Sequence, residues 1–362
     1  MKRAYLIFVY LLVTISARAQ QPAPPYQNFV VKGDKIYLLV HGGLKIYNSA
    51  DGKLEEQFKL SAKLKALYQD RLGNILTVDV QSRIKRLNAD KSWSVIGNYG
   101  QMIAAVAFNS KNDCFLVTDA GIVDISTKKI YRPDSSFFHS EWSGMQTKKE
   151  WRPSEIEKML PVFIDSYDNL WTIVDHGEWG QDLFIFSTTA KKFLNFTKAI
   201  AMPSFEFNGE LFGSSGYPFS YSVVRYQRAN NGSDTFYKGS IVYDTEKDEA
   251  VPHDFNTISR LSIANCTFNK FDGCLYAITS YSGLYKADPK KGIKRFSDWK
   301  KVDAFKRPVY KGIGVVPSTK DDRRWQPEYI SKIRFAENGN LILLSPDRGM
   351  RIFNGKTLII VK

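Results

Sequence analysis

The chain has 362 residues, 43% of them hydrophobic and 14% aromatic, and a formal charge of +14 at neutral pH. That apolar content is ample for a large buried core. Three cysteines, Cys114, Cys266 and Cys274, cannot pair completely, and no Cys/His spacing matches a zinc site.

The first element is a leader. MKR precedes the apolar run AYLIFVYLLVTIS, and Ala17-Arg18-Ala19 follows it. A basic start, an apolar run and a small-residue cleavage site predict a secretory signal peptide over residues 1–19. The run is shorter than the roughly 20 residues of a membrane span, and no later segment is apolar enough to cross. The expectation is an exported protein, periplasmic or extracellular, with an uncleaved anchor as the alternative. Loss of Lys2, Arg3 and Arg18 with the leader lowers the charge to +11. The excess concentrates in residues 286–334, which hold 15 Lys or Arg against 6 Asp or Glu. Such a field attracts polyanions over about 8 Å at physiological salt. Outside the cytoplasm it points to an acidic glycan or an envelope protein rather than nucleic acid, and it also serves solubility.

From there on, one pattern recurs. "VKGDKIYLL" (31–39), "DRLGNILTV" (70–78), "SKNDCFLVT" (110–118), "DSYDNLWTI" (165–173), "KFDGCLYAI" (270–278) and "AENGNLILL" (336–344) each join a Gly, Asp or Asn turn to an apolar run. This is a hairpin feeding a strand covered on both faces. Trp171 falls in one column with Tyr37, Leu76, Leu116, Tyr276 and Ile342, which makes it a core residue first. A third strand begins at "GGLKIYN" (42–48), "SRIKRLN" (82–88), "AGIVDIS" (120–126), "QDLFIFS" (181–187), "SGLYKAD" (282–288) and "RGMRIFN" (348–354). A more polar fourth strand closes each unit, for example "KLEEQFKL", "SWSVIG" and "IKRFSD". Residues 205–255 lack a clean hairpin but offer "FSYSVVRYQ", "KGSIVYD" and "EAVPHDF" as strands of an irregular fifth unit. Cys266 and Cys274 fall on one hairpin with an expected offset of two, which predicts free thiols rather than a disulfide.

Seven units over the mature chain average about 49 residues each. That period, with four strands per unit, is a propeller signature. The expected fold is all-β: a single seven-bladed β-propeller over residues 20–362, built from four-stranded antiparallel blades. The irregular fifth unit leaves six or eight blades as alternatives. The repeat resembles the short propeller repeats of two-component-regulator sensor ectodomains, with their D-x-x-G-N-L-W and G-L-x-x-F cores, and NHL-type propellers. Here Asp168 stands for the resemblance's Gly, and Cys114 and Cys274 for its Asn. It implies fold rather than function.

The irregularities are expected on one face. Insertions 132–160 and 297–330 lengthen blade-to-blade connections, while 175–182 and 228–239 lengthen second-to-third strand loops. "RPSEIEKML" (152–160) reads as a short helix. These loops carry Trp142, Trp151, Arg152, His176, Trp179, Trp299, Arg323, Arg324 and Trp325. Aromatic faces beside Arg suit sugar stacking, cation–π contact and anion capture. The same tryptophans could instead pin long loops onto the scaffold. His41, Asp79, Asp119 and Asp175 close second strands at the same end, around the mouth of a central channel. Carboxylates so placed could hold Ca²⁺, or could serve as turn-forming side chains bonding their own backbone. No cofactor, metal site or catalytic residue is assigned, and no sialidase box, nucleophile elbow or phosphate loop is present. The expected function is a non-catalytic recognition module that binds a glycan, peptide or envelope partner through the loop-elaborated face. The alternative is an enzyme of lactonase, lyase or glycosidase type using the acids there.

Overall fold

The structure is a computed structural model that describes residues 26–59, 64–137, 151, 160–175, 181–197, 201–217, 220–231, 234–244, 263–279, 283–302, 330–346 and 348–361. The expected leader, and the expected helix apart from Leu160, lie outside these residues. Seven antiparallel units of four strands succeed one another, over residues 26–59, 64–98, 103–131, 162–197, 202–244, 263–301 and 332–361. Within each unit, spatial order follows sequence order. Among the described residues the only helical turns are two short 3₁₀ segments, Ser135–Phe137 and Phe296–Asp298.

Alternation along the second strands explains why units stack. In Lys35–Val40, Leu38 packs with the seventh unit's Ile342 and Leu344, whereas Leu39 packs with the second unit's Leu64 and Leu67. In Asn169–Asp175, Leu170 joins the third unit's Phe115, whereas Trp171 joins the fifth unit's Leu211 and Tyr226. Successive side chains on a strand point to opposite faces, so a continuous apolar run serves two neighbours. One apolar cluster fills each boundary between neighbouring units, including that between the last and the first. The units therefore close into a ring.

Among the described residues no strand is exchanged at the closing boundary. It is sealed by Phe29, Ile36 and Leu38 against Ile342, Leu344 and Met350. Polar contacts flank that seam. The Lys332 ammonium donates to Asn28 Oδ1 and to the Phe29 carbonyl, both at 2.7 Å. Asn340 Nδ2 donates to the Ser49 carbonyl at 2.9 Å, and the Tyr26 N–H to the Pro346 carbonyl at 3.2 Å.

The opening turns are tied to one another around the ring. In DSYDNLW the Asp165 carboxylate is buried. It accepts the backbone N–H of Tyr167 and Asn169, Asn169 Nδ2, the Trp171 indole N–H at 3.0 Å and the Tyr237 hydroxyl at 2.5 Å. Tyr237 belongs to the fifth unit, so the motif is a staple between neighbours. Asp168 takes the left-handed conformation at φ 62° in the place of Gly73 and Gly339. Such a φ disfavours side chains in general but tolerates Asp and Asn. Asp168 gains a partner there, because its carboxylate accepts the Ser110 N–H and hydroxyl, both at 2.6 Å. Asn112, at φ 66°, does the same for the Arg71 N–H at 2.8 Å.

Four expectations need correction. In the third unit it is Asn112, not Asp113, that holds the left-handed position. The register therefore moves by one, Phe115 rather than Leu116 shares the column of Trp171, and Asp113 rather than Cys114 takes the Asn place. The fifth unit does open with a hairpin, Met202–Phe207 and Glu210–Tyr217, turning through left-handed Asn208 and Gly209. Residues 228–231 and 234–239 run along the third and fourth strands, Ser220–Asn231 and Asp234–Asp244, so they do not form a second-to-third strand loop. The sixth unit's fourth strand is Lys300–Lys301 instead of "IKRFSD", so its long connection starts beyond Val302. The three thiols are free, and Cys266 and Cys274 lie opposite Ala277 and Asn269, three positions out of register.

The fourth and fifth units form one eight-stranded sheet. Lys192–Thr197 pairs in parallel with Asp234–Asp244 through Asn195–Phe236, Phe196–Tyr237 and Thr197–Lys238. Elsewhere the described sheets end after four strands.

Two measurements test these ties. A double-mutant cycle of Ser110→Ala with Asp168→Gly should return a coupling of about 0.5–1.5 kcal/mol, although 58 positions separate the pair; additive effects would remove the latch. Burial, with the like charge of Arg334, lowers the Lys332 pKa to about 7. Between about 7 and the ordinary 10.5 the unfolded chain keeps a proton that the folded protein has released, so this group makes stability rise with pH. Lys332→Met should flatten that rise in urea titrations across the window. A slope identical to that of the parent would show that Lys332 titrates normally.

Candidate functional site

The strand order fixes two rims. Hairpins between first and second strands, and turns between third and fourth, share one rim. Second-to-third strand loops and the connections between units share the other. The two long connections leave and re-enter on this second rim. Arg132 Nε donates to the Ala120 carbonyl where the first departs, and the Leu160 N–H donates to the Ala104 carbonyl where it returns. The second departs at Val302, whose N–H reaches the Leu284 carbonyl, and returns at Ile330, buried against Ile278 and Leu284.

The described tryptophans of the expected binding face are anchors. Trp151 is half-buried, donates its indole N–H to the Thr118 carbonyl at 2.9 Å, and meets Phe184 edge-on at 4.9 Å between ring centres. It pins the first insertion across the third and fourth units. Trp299 is 6% exposed and donates to the Ile293 carbonyl at 3.3 Å. It packs into the boundary between the fifth and sixth units, and it precedes the fourth strand, so it is not on the insertion rim. Both are held as anchors, and a tryptophan in that role supplies the apolar burial that ordering a long segment requires. Trp142, Arg152, His176, Trp179, Arg323, Arg324 and Trp325 lie outside the described residues.

Of the residues expected at the channel mouth, Asp79 is fully buried. Its Oδ1 accepts the N–H of Gln81 at 2.9 Å and of Arg83 at 3.0 Å. Its Oδ2 takes Arg83 Nε at 2.7 Å and the Lys85 ammonium at 3.0 Å. Burial alone would raise its pKa, yet the Arg83 N–H and the Lys85 and Arg83 side chains hold it below the ordinary carboxylate value. This acid closes its own loop, as a turn former does. Asp119 is exposed and its N–H donates to the Met102 carbonyl at 3.3 Å. His41 is exposed, and Asp175 is placed by backbone pairing with Gln181. Among the described residues no three His, Cys, Asp or Glu side chains stand close enough to hold a metal ion.

Sequence reasoning missed a second committed acid. Asp124, buried in the third unit, meets the fourth unit's Lys191 ammonium at 2.6 Å. Burial opposes its charge, but Lys191 and Ser126 draw its pKa down to about 2. The ammonium also lies 4.3 Å from the centre of the Phe115 ring. This too is a tie across a boundary.

Solved structures share the architecture. The chain is similar to the β-propeller domain of Cps50 (Swd1) from Myceliophteria thermophila, at 11% identity over 95% of this chain and 100% of that one, with a TM-score of 0.54. This protein is a β-propeller. A looser likeness, TM-score 0.43 at 8% identity over 90% of this chain and 81% of the other, is to BamB from Moraxella catarrhalis. No family model and no curated protein matches the sequence. At these identities the likeness concerns the fold alone.

Asp79 supplies a test. Asp79→Asn leaves two cations facing a neutral amide and should cost on the order of 3 kcal/mol at neutral pH. The parent's advantage should shrink as pH falls through the depressed pKa, since its stabilisation exists only while the acid is ionised. Added Ca²⁺ should move neither melting midpoint. An unchanged midpoint in the variant, or a parent stabilised by Ca²⁺, would contradict the turn-forming role.

Proposed function

We propose that this propeller is an exported, non-catalytic recognition module of the two-component-regulator or NHL repeat kind, whose insertion-bearing rim holds an acidic glycan, peptide or envelope protein. The observation that carries the reading is the clamping of both long connections onto one rim of a closed ring, the first by Trp151 and Leu160 and the second by Val302 and Ile330. Loops on a rigid scaffold are where binding usually resides. The basic sector 286–334 spans the second connection and favours an acidic partner. Commitment of Asp79 to its own loop takes one acid from the set that the enzyme alternative needs. Among the described residues no helix is long and apolar enough to cross a membrane.

The reading is tested by screening the mature protein on a glycan array and in pull-downs from envelope extracts, then repeating the captures with Trp179→Ala and Arg324→Ala. Each variant should weaken capture about tenfold or more while moving the melting midpoint by less than about 2 °C. A large fall in midpoint with capture retained would show these side chains to be staples like Trp151.

A further inference from the structure

We infer that the rim opposite the insertions rests on an anionic lipid bilayer through three apolar feet, Leu72, Tyr167 and Phe271, each flanked by a cation. All three stand in turns between first and second strands, in the second, fourth and sixth units. They stay open to solvent, Leu72 at 76%, Tyr167 at 45% and Phe271 at 57% exposure. Every foot has its own positive charge. Exposed Arg71 directly precedes Leu72. The Arg228 guanidinium lies 4.4 Å from the centre of the Tyr167 ring, and the Lys270 ammonium 5.2 Å from that of Phe271. An apolar body beside a cation suits a membrane–water boundary, where the body enters the acyl region and the charge stays at the lipid phosphates.

Spacing selects a bilayer over a protein partner. The feet lie two units apart around the ring, whereas the anchors of a protein interface cluster near its centre. Three separated feet fit a broad, flat and deformable surface. The acids beside them are already engaged inside the turns. Asp70 accepts the Asn74 N–H and Nδ2, both at 2.7 Å, and Asp168 holds Ser110. Asp272 accepts the Cys274 N–H at 3.0 Å and the Tyr276 hydroxyl at 2.7 Å. The cations at the feet point to anionic headgroups as the partner. Exposed Lys111, at the third unit's tip, adds one charge, and exposed Glu337 of the seventh opposes it. The turns are also latched to their neighbours. The Arg71 N–H donates to Asn112 Oδ1 at 2.8 Å and the Ser166 N–H to Glu206 at 2.9 Å. The Phe271 ring lies 3.3 Å from where a side chain on Gly339 would begin. Side chains held out on fixed turns meet a surface with little ordering cost. Resting on these feet, the protein turns its insertion rim away from the lipid. The assignment does not depend on the function proposed above, which concerns that other rim.

Co-sedimentation with vesicles tests the assignment. The protein is used without residues 1–19, whose apolar run would itself enter lipid; the whole ring lies within residues 26–361. Vesicles of phosphatidylcholine with about 30% phosphatidylglycerol should bind it about tenfold more tightly than phosphatidylcholine alone, and added salt should weaken that binding. Leu72→Ser, Tyr167→Ser and Phe271→Ser should each weaken it severalfold, and the triple variant by about tenfold or more. All three positions are exposed, so the melting midpoint should hold. Val95→Ser and Ile360→Ser, exposed apolar positions on outer strands, should bind as the parent does. Undiminished binding by the triple variant, equal binding to both vesicle types, or no binding by about 1 mM lipid would overturn the assignment. Self-association that the triple variant abolishes, without any binding to vesicles, would overturn it too and give the feet to a second copy of the chain.

Discussion

Face-to-face burial between neighbouring sheets is the constraint on which this molecule depends. Each second strand spends one set of side chains on the unit before it and the alternate set on the unit after, as Leu170 and Trp171 do. No unit has a solvated face to fall back on. The requirement extends to the boundary between last and first, where packing of Phe29 and Leu38 on Ile342 and Leu344 closes the ring. Closure there rests on shape and apolar area, with Lys332 and Asn340 fixing the alignment.

Polar groups inside this fold are spent on the same task. Asp165, Asp124 and Asp168 each join a side chain from one unit to a group on another. Asp79 closes a loop within its unit. A buried carboxylate is tolerated only when its oxygens are matched, and the buried Asp79, Asp124 and Asp165 have each found donors. Acids that stand out in a sequence like this one are therefore first suspected of holding the scaffold. Function is better sought where charge and aromatic surface are left unmatched.

The period, the apolar columns and the two-faced strands were legible because they follow from stacking itself. Departures arose where one local choice replaced another. Asn112 can adopt the left-handed turn that glycine usually fills, so the third unit slipped by one position when aligned on residue types. The fifth unit's hairpin hid behind Pro203 in its first strand and the Gly- and Ser-rich Glu210–Tyr217, although Asn208-Gly209 is a strong two-residue turn signal. The sixth unit's fourth strand is two lysines long and carries no apolar signature. Trp151 and Trp299 could be read as platforms or as staples, since a loop tryptophan has the same identity in both roles and only burial decides.

The parallel ladder between the fourth and fifth units has a mechanical consequence. Sliding or hinging at this seam must tear a run of main-chain pairs around Phe196 and Tyr237, whereas other described seams carry side-chain packing with isolated ties such as that of the Tyr26 N–H to the Pro346 carbonyl. The two units share one continuous sheet. Strain imposed on the circle, by heat or by a pulling force, is expected to open first the joints that lack such a ladder.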